Sequence, residues 1–360
     1  MNQLGQLVFT GLSGLTLTEE EKKFIEKEDI GGVIFFSKNY ESPAQLAELV
    51  NSIQNLRREY PLFICTDHEG GRVVRFKTQF TQFPPMLEIA KLDSPKMVFD
   101  VATIMAEELL ACGVNLNLAP VCDIWNNDQN KVIWDRAFGK DHETVSKFIS
   151  SMIRGFETNH LMSCAKHFPG HGNTLKDSHY DLPIVKKSLE DIRNEELQPF
   201  VKAVKARVDM IMMAHIIVED IDPELPCSLS PKAHAILRNE LKFKGLILSD
   251  DMQMGAITAH RGTGEAAMMA IRAGSDLVEY RDMAEAQLGL EGLKKAQKDK
   301  TIKAADFQDR LTRIEEAKKA YFTEYKPIYI PDLEKKFNRK QNQVFADDLR
   351  KKIAEFNSRA

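Results

Sequence analysis

Eight short apolar runs, each adjoining an amphipathic stretch, constrain this 360-residue chain more than any other feature. They fall at 6–11, 32–36, 62–66, 114–118, 162–166, 210–214, 246–249 and 276–279. Helical patterns lie between them: one led by Thr18, then about 43–59, one containing Met105 to Leu110, then 144–158, 188–206, 232–241 and 265–273. Thr18 followed by Glu19, Glu20 and Glu21 is a sound helix start. The hydroxyl caps a free amide, and acidic groups complement the positive end of the helix. Apolar strands alternating with amphipathic helices indicate a parallel sheet covered by helices. Eight units favour closure into a (β/α)8 barrel of the TIM type over an open doubly wound α/β sheet. A barrel takes roughly 250 residues. The expected layout is therefore a (β/α)8 barrel over 1–300 and a C-terminal helical extension over 301–360. Helical patterns recur at 284–298 and 304–321, an extended stretch at 326–331 and a charged helical tail at 332–357. The lysines of that tail read as a solvated helix face.

Composition narrows the class of partner. The chain is 43% hydrophobic and 28% charged, with a net charge of −4. Nucleic-acid binding needs a basic face, which this balance does not suggest. Five cysteines, an odd number with no CxxC spacing, argue for reduced thiols rather than a disulfide framework. The N-terminus has no signal-peptide pattern, and no segment has the length of a membrane span. A cytoplasmic monomer acting on a small molecule is the expectation.

In a parallel barrel, functional groups gather where strands end and loops begin. The third run ends in Thr66-Asp67-His68-Glu69-Gly70-Gly71-Arg72, the fifth in Lys166-His167-Phe168-Pro169-Gly170-His171-Gly172, the sixth at His215 and the seventh in Ser249-Asp250-Asp251. Asp177 and His179 stand two apart in the Gly- and Pro-containing loop after the fifth run. That spacing lets a carboxylate orient one imidazole nitrogen and leaves the other free to exchange a proton. The glycines suggest a loop that swings His179 toward substrate. Asp250 ends a buried strand, where a carboxylate is costly unless it meets partners or ligand. Alternation along a strand should turn Asp251 elsewhere, where it caps the next helix. One of the pair is functional and the other structural, and the residues alone leave open which. Asp67 can accept hydrogen bonds from vicinal hydroxyls; Arg75, Arg136, Lys166 and His167 can donate to hydroxyl oxygens. Glu279-Tyr280-Arg281, after the eighth run, either shapes the pocket floor or packs against the tail.

Three stretches, DHEGGRVVRF (67–76), KHFPGHGNTLKDSH (166–179) and LSDDMQMGA (248–256), closely resemble glycoside hydrolase family 3, supported by WDRAFG around Arg136. In particular they are similar to its single-barrel bacterial β-N-acetylglucosaminidases of peptidoglycan recycling. The resemblance implies Asp250 as nucleophile, His179 as general acid/base and Asp177 as its dyad partner. It assigns Asp67, Arg75, Arg136, Lys166 and His167 to the non-reducing-end sugar. It implies a retaining reaction on a GlcNAc-containing muropeptide, with no metal and no organic cofactor. His68 departs from many relatives, with no change in chemistry expected. Rival readings are a broader β-glycosidase of the same family, a metal-dependent hydrolase built from the loop histidines, and a non-catalytic sugar-binding barrel.

Overall fold

The computed structural model describes residues 3–56, 60–174, 182–322, 324–337 and 339–359. Eight parallel strands close into a barrel. They are β1 (Val8–Gly11), β2 (Gly32–Phe35), β3 (Phe63–Thr66), β4 (Leu116–Asn117), β5 (Met162–Phe168), β6 (Met210–Met213), β7 (Leu246–Asp251) and β8 (Leu277–Tyr280). Each pairs with its sequence neighbours, and β8 pairs back onto β1 through Val8 and Val278. Apart from Asp250 and Asp251, which are partly exposed, the strand residues are buried. That two-sided burial is why they read as apolar runs instead of alternating ones.

The surrounding helices follow the sequence pattern with a few physical corrections. Helix α1 (Glu19–Glu28) begins with a capping box in which Thr18 and Glu21 satisfy each other's backbone amides. Helices α2 (Pro43–Gln54), α3 (Pro95–Ala111) and α4 (His142–Thr158) carry Ser42, Ser94 and Asp141 as side-chain N-caps. The expected helix at 188–206 is two, α5 (Leu189–Asn194) and α6 (Gln198–Lys205). Pro199 lacks an amide hydrogen and fits the first turn of the second helix, not the interior of one long helix. The pattern at 232–241 begins as α7 (Pro231–Ala235) and continues as a π-helical turn, Ile236–Glu240. Helices α8 (Thr263–Ala273) and α9 (Met283–Lys298) complete the ring.

The first strand starts later than its apolar run. Gln3–Leu7 is a 3-10 turn. The Gly31 backbone amide donates to the Gly5 carbonyl at 2.9 Å, and the Gln6 side-chain Nε2 to the Asp29 carbonyl at 2.7 Å. These bonds hold the segment under the barrel mouth opposite the strand ends. Helix α10 (Ala304–Tyr321) packs against this turn. The Lys318 ammonium, 1% exposed, donates to Gln6 Oε1 at 2.9 Å and to the Gly31 carbonyl at 3.1 Å. The tail is a 3-10 segment (Ile330–Lys336) and then α11 (Lys340–Asn357), so the single helix expected from 332 is broken. All five cysteines are free and buried. Among the described residues no helix is long and apolar enough to cross a membrane.

Asp276, fully buried just before β8, ties α10 to the barrel. Its Oδ2 accepts from Arg238 at 2.6 Å and from the Ile247 amide at 2.8 Å, and its Oδ1 accepts from Arg313 at 2.7 Å. Asp276→Ala strands two guanidinium groups and a strand amide. It should lower unfolding free energy by about 3–5 kcal/mol, the usual cost of removing one partner of a buried ion pair. Chemical denaturation checks this; a loss under about 1 kcal/mol, the scale of an exposed pair, would mean the cluster contributes little.

Candidate active site

The C-terminal ends of the strands surround a cavity of about 620 Å³. Asp67, Arg75, Arg136, Lys166, His167 and Asp250, distant in sequence, all line it. Asp177 and His179 lie outside the described residues, with the rest of 175–181.

Lys166 is the hub. It is 2% exposed, and its ammonium lies 2.7 Å from Asp67 Oδ1 and 2.6 Å from Glu69 Oε1. Asp67 also accepts from Arg75 at 2.7 Å. Glu69 takes both arms of Arg136, each at 2.8 Å. Two carboxylates thus face three cations. Burial would raise the Asp67 carboxyl, but Lys166 and Arg75 hold it well below the usual carboxylate range. Burial also opposes ionisation of Glu69, yet Arg136 and Lys166 bring it to about 2. Both groups are therefore ionised at neutral pH.

A hairpin makes the first half of this network. His68–Gly70 and Val73–Val74 pair antiparallel directly after β3. The reversal returns Arg75 to Asp67. Gly70 and Gly71 make the bend at φ 97° and 57°, a region that disfavours side chains. A Cβ at Gly70 would meet the Met86 methyl at 2.6 Å. His68 turns away into the core beside Phe76 and Phe80, and burial lowers its imidazole to about 4. It is a neutral packing residue.

Lys166 and His167 are consecutive, yet both face the cavity. Regular strand geometry sends consecutive side chains to opposite faces. The register resolves this: Ala165 pairs with Ile211 and Phe168 with Met213, so β5 carries one extra residue against β6. Such a bulge re-aims side chains. His167 is then fixed by Asp123, which lies 2.7 Å from its Nδ1 and also accepts the His171 amide at 2.6 Å. The other imidazole nitrogen, Nε2, lies 3.5 Å from Arg136.

The same device operates on β7 and corrects an expectation. Leu248 pairs with Leu277 and Asp251 with Glu279, so β7 also carries an extra residue. Asp250 and Asp251 consequently both line the cavity. Asp251 does not cap a helix. Its Oδ1 accepts from the Gln253 amide at 2.9 Å and its Oδ2 pairs with Arg281 at 2.7 Å. The next helical turn, Gly255–Thr258, has Met254 at its N-cap, with no side-chain cap. Asp250 Oδ1 accepts from the Asp251 amide at 2.8 Å. His215 braces this strand from β6: its Nδ1 lies 2.7 Å from Ser228 Oγ and its Nε2 3.0 Å from the Asp251 carbonyl.

Sequence reasoning gave no role to Glu69 or Asp123 and left Glu279 open between the pocket floor and packing against the tail. Glu69 stands in a quoted motif, and the strand-end rule applied to the fourth and eighth strands would have pointed toward the other two. Glu279 and Arg281 line the cavity, whereas Tyr280 is buried in the barrel wall. Among the described residues, no three His, Cys, Asp or Glu side chains are arranged to hold a metal ion.

The model of the glycosyl hydrolase family 3 N-terminal domain matches residues 1–317. A β-hexosaminidase of Nitrosomonas eutropha is 38% identical over 282 residues, covering 76% of this chain and 80% of the relative. NagZ of Neisseria gonorrhoeae, solved with N-trifluoroacetyl-D-glucosamine, superposes with a TM-score of 0.78 at 29% identity. That match covers 95% of this chain and 96% of the other. A family 3 β-N-acetylglucosaminidase of a Paenibacillus strain superposes with a TM-score of 0.91 at 30% identity, covering 97% of this chain and 67% of the other.

The depressed Glu69 carboxyl generates a pH prediction. A carboxyl held at about 2 instead of its ordinary 4.5 contributes stability that is fully present above 4.5 and lost as pH falls toward 2. Glu69→Gln should be less stable than the parent at neutral pH, and its stability should fall less steeply through that acid window. Urea titrations at several pH values check this. Equal acid slopes in the two proteins would show that Glu69 is not held down in the folded state.

Proposed function

The chain belongs to glycosyl hydrolase family 3 and is a glycoside hydrolase, and from that premise we propose that it is a retaining exo-β-N-acetylglucosaminidase. The named activities of its relatives support the substrate sugar. The observation that carries the reading is that Asp250 opens onto the same cavity as the Asp67–Lys166–Glu69 ion network. Carboxylates that accept and cations that donate, fixed before substrate arrives, suit the ring hydroxyls of one sugar. Asp67, Arg75, Arg136, Lys166 and His167 are the residues that would hold it.

In the proposed reaction, protonated His179 gives its proton to the glycosidic oxygen as Asp250 attacks the anomeric carbon. The bond to the leaving alcohol breaks and a glycosyl ester on Asp250 forms with inverted configuration. Neutral His179, oriented by Asp177, then takes a proton from water, whose oxygen displaces Asp250. Two inversions give net retention. The substrate we propose is a peptidoglycan fragment with GlcNAc at its non-reducing end, cleaved by a cytoplasmic monomer. Buried free thiols suit a reducing compartment.

His179→Ala should lower kcat by ~100- to 10,000-fold on a disaccharide and by less on a nitrophenyl glycoside, because proton donation matters most for poor leaving groups. Full rate on the disaccharide would remove His179 from the mechanism. A fluorinated N-acetylglucosaminide should trap an ester on the peptide bearing Asp250, read by mass spectrometry. Label on Asp251 would transfer the nucleophile's role, and release of the α-anomer would end the retaining scheme. A panel of nitrophenyl glycosides should show preference for the N-acetylglucosaminide over the glucoside.

A further inference from the structure

One carboxyl at the floor of the cavity has no part in that scheme. Glu279, near the end of β8, lines the cavity yet is only 4% exposed. Its backbone is fixed: the amide lies 3.2 Å from Ser249 Oγ, and the carbonyl accepts from the Met252 amide at 3.0 Å. Its side chain is not. Oε2 is buried with no hydrogen-bond partner among the described residues. A buried polar atom left unpaired is destabilising and uncommon in native proteins. A ligand that completes the pairing gives such a group a use.

We propose that Glu279 is a further substrate-binding residue, whose carboxyl hydrogen-bonds a polar ring substituent of the sugar that presents its anomeric carbon to Asp250. This rests on the glycosidase reading above. The surroundings say in which form it acts. Burial, then Asp67, Asp251 and Asp250, push the carboxyl well above the usual range, and Lys166 opposes them only in part. The thiols of Cys65 and Cys164 lie near it within the barrel. That upward push favours the neutral acid, which can both donate and accept. Asp67 and Glu69 can only accept, and Lys166, Arg75 and Arg136 can only donate. A neutral carboxyl adds what that set lacks: a donor that brings no charge. It does not compete with His179 for the leaving oxygen. The aglycone must depart through the cavity mouth, whereas Glu279 lies against the barrel interior.

The test is calorimetric binding of N-acetylglucosamine, with hydrolysis of its nitrophenyl glycoside measured alongside. Glu279→Met keeps the length and removes the hydrogen bond. It should raise Kd about 3- to 10-fold, and Glu279→Gln, which keeps a donor, should recover most of that loss. Repeating the titration with monodeoxy and 2-amino analogues should find one for which the penalty disappears, identifying the contacted substituent. Unchanged affinity in Glu279→Met overturns the proposal. So does a penalty that is the same for every analogue, or one that Glu279→Gln shares in full. If Glu279→Met does not fold, Glu279→Asp serves, since it draws the carboxyl back by one methylene: weaker binding sustains the contact and unchanged binding overturns it. Wild-type protein that neither binds nor hydrolyses an N-acetylglucosaminide overturns the functional reading and this proposal together. Normal wild-type turnover with unaltered variants overturns the proposal alone.

Discussion

A buried ammonium governs this site. Lys166 has almost no contact with solvent, and an unpaired charge in that position would cost several kcal/mol. It is tolerable because Asp67 and Glu69 stand on either side, and because each carboxylate is held in turn by an arginine. The attraction need not add net stability, since desolvation offsets much of it. What it does is couple elements. The end of β3, the hairpin after it, the bulged end of β5 and the short helical turn Trp134–Arg136 are held by one set of charges. The polar groups offered to a substrate are thus in place beforehand, which spares the reorganisation that water or mobile side chains would require.

The barrel contributes the backbone framework, and two departures from strand regularity turn it into a site. With ideal alternation, either Lys166 or His167 would face the surrounding helices, and so would either Asp250 or Asp251. One extra residue in β5 and one in β7 bring all four to the cavity. Partners then fix each exposed end: Asp123 for His167, and Arg281 with the Gln253 amide for Asp251. Fold and site are linked at this point, because parallel pairing to β6 and β8 holds the bulges where they are.

Far from the cavity, α10 closes the opposite end of the barrel through polar contacts that are as buried as those of the site. Lys318 reaches the Gln6 side chain and the Gly31 carbonyl, and Arg310 donates to the carbonyls of Ser275 and Ile271. These cations reach backbone carbonyls at the strand starts and at the end of α8, where Gly31 and Ile271 each already accept one amide. A large cavity at one end and a base covered by α10 at the other follow from this arrangement.

The apolar runs determined the barrel, because burial on both faces leaves an uninterrupted signature that solvent-facing strands do not share. The strand-end rule and the quoted motifs picked out Asp67, Arg75, Arg136, Lys166, His167 and Asp250, since polar groups beside such runs need partners or ligands. Tertiary structure alone decided the pairing. Arg136 meets Glu69 across 67 residues, and Lys166 meets Asp67 across 99. No local periodicity encodes separations of that size. Nor could alternation reveal that Asp251 shares the cavity, because the extra residue in β7 exists only relative to β8. The orphan oxygen of Glu279 is likewise a property of what surrounds it. A sequence records which groups are polar, and only packing decides which of them find partners.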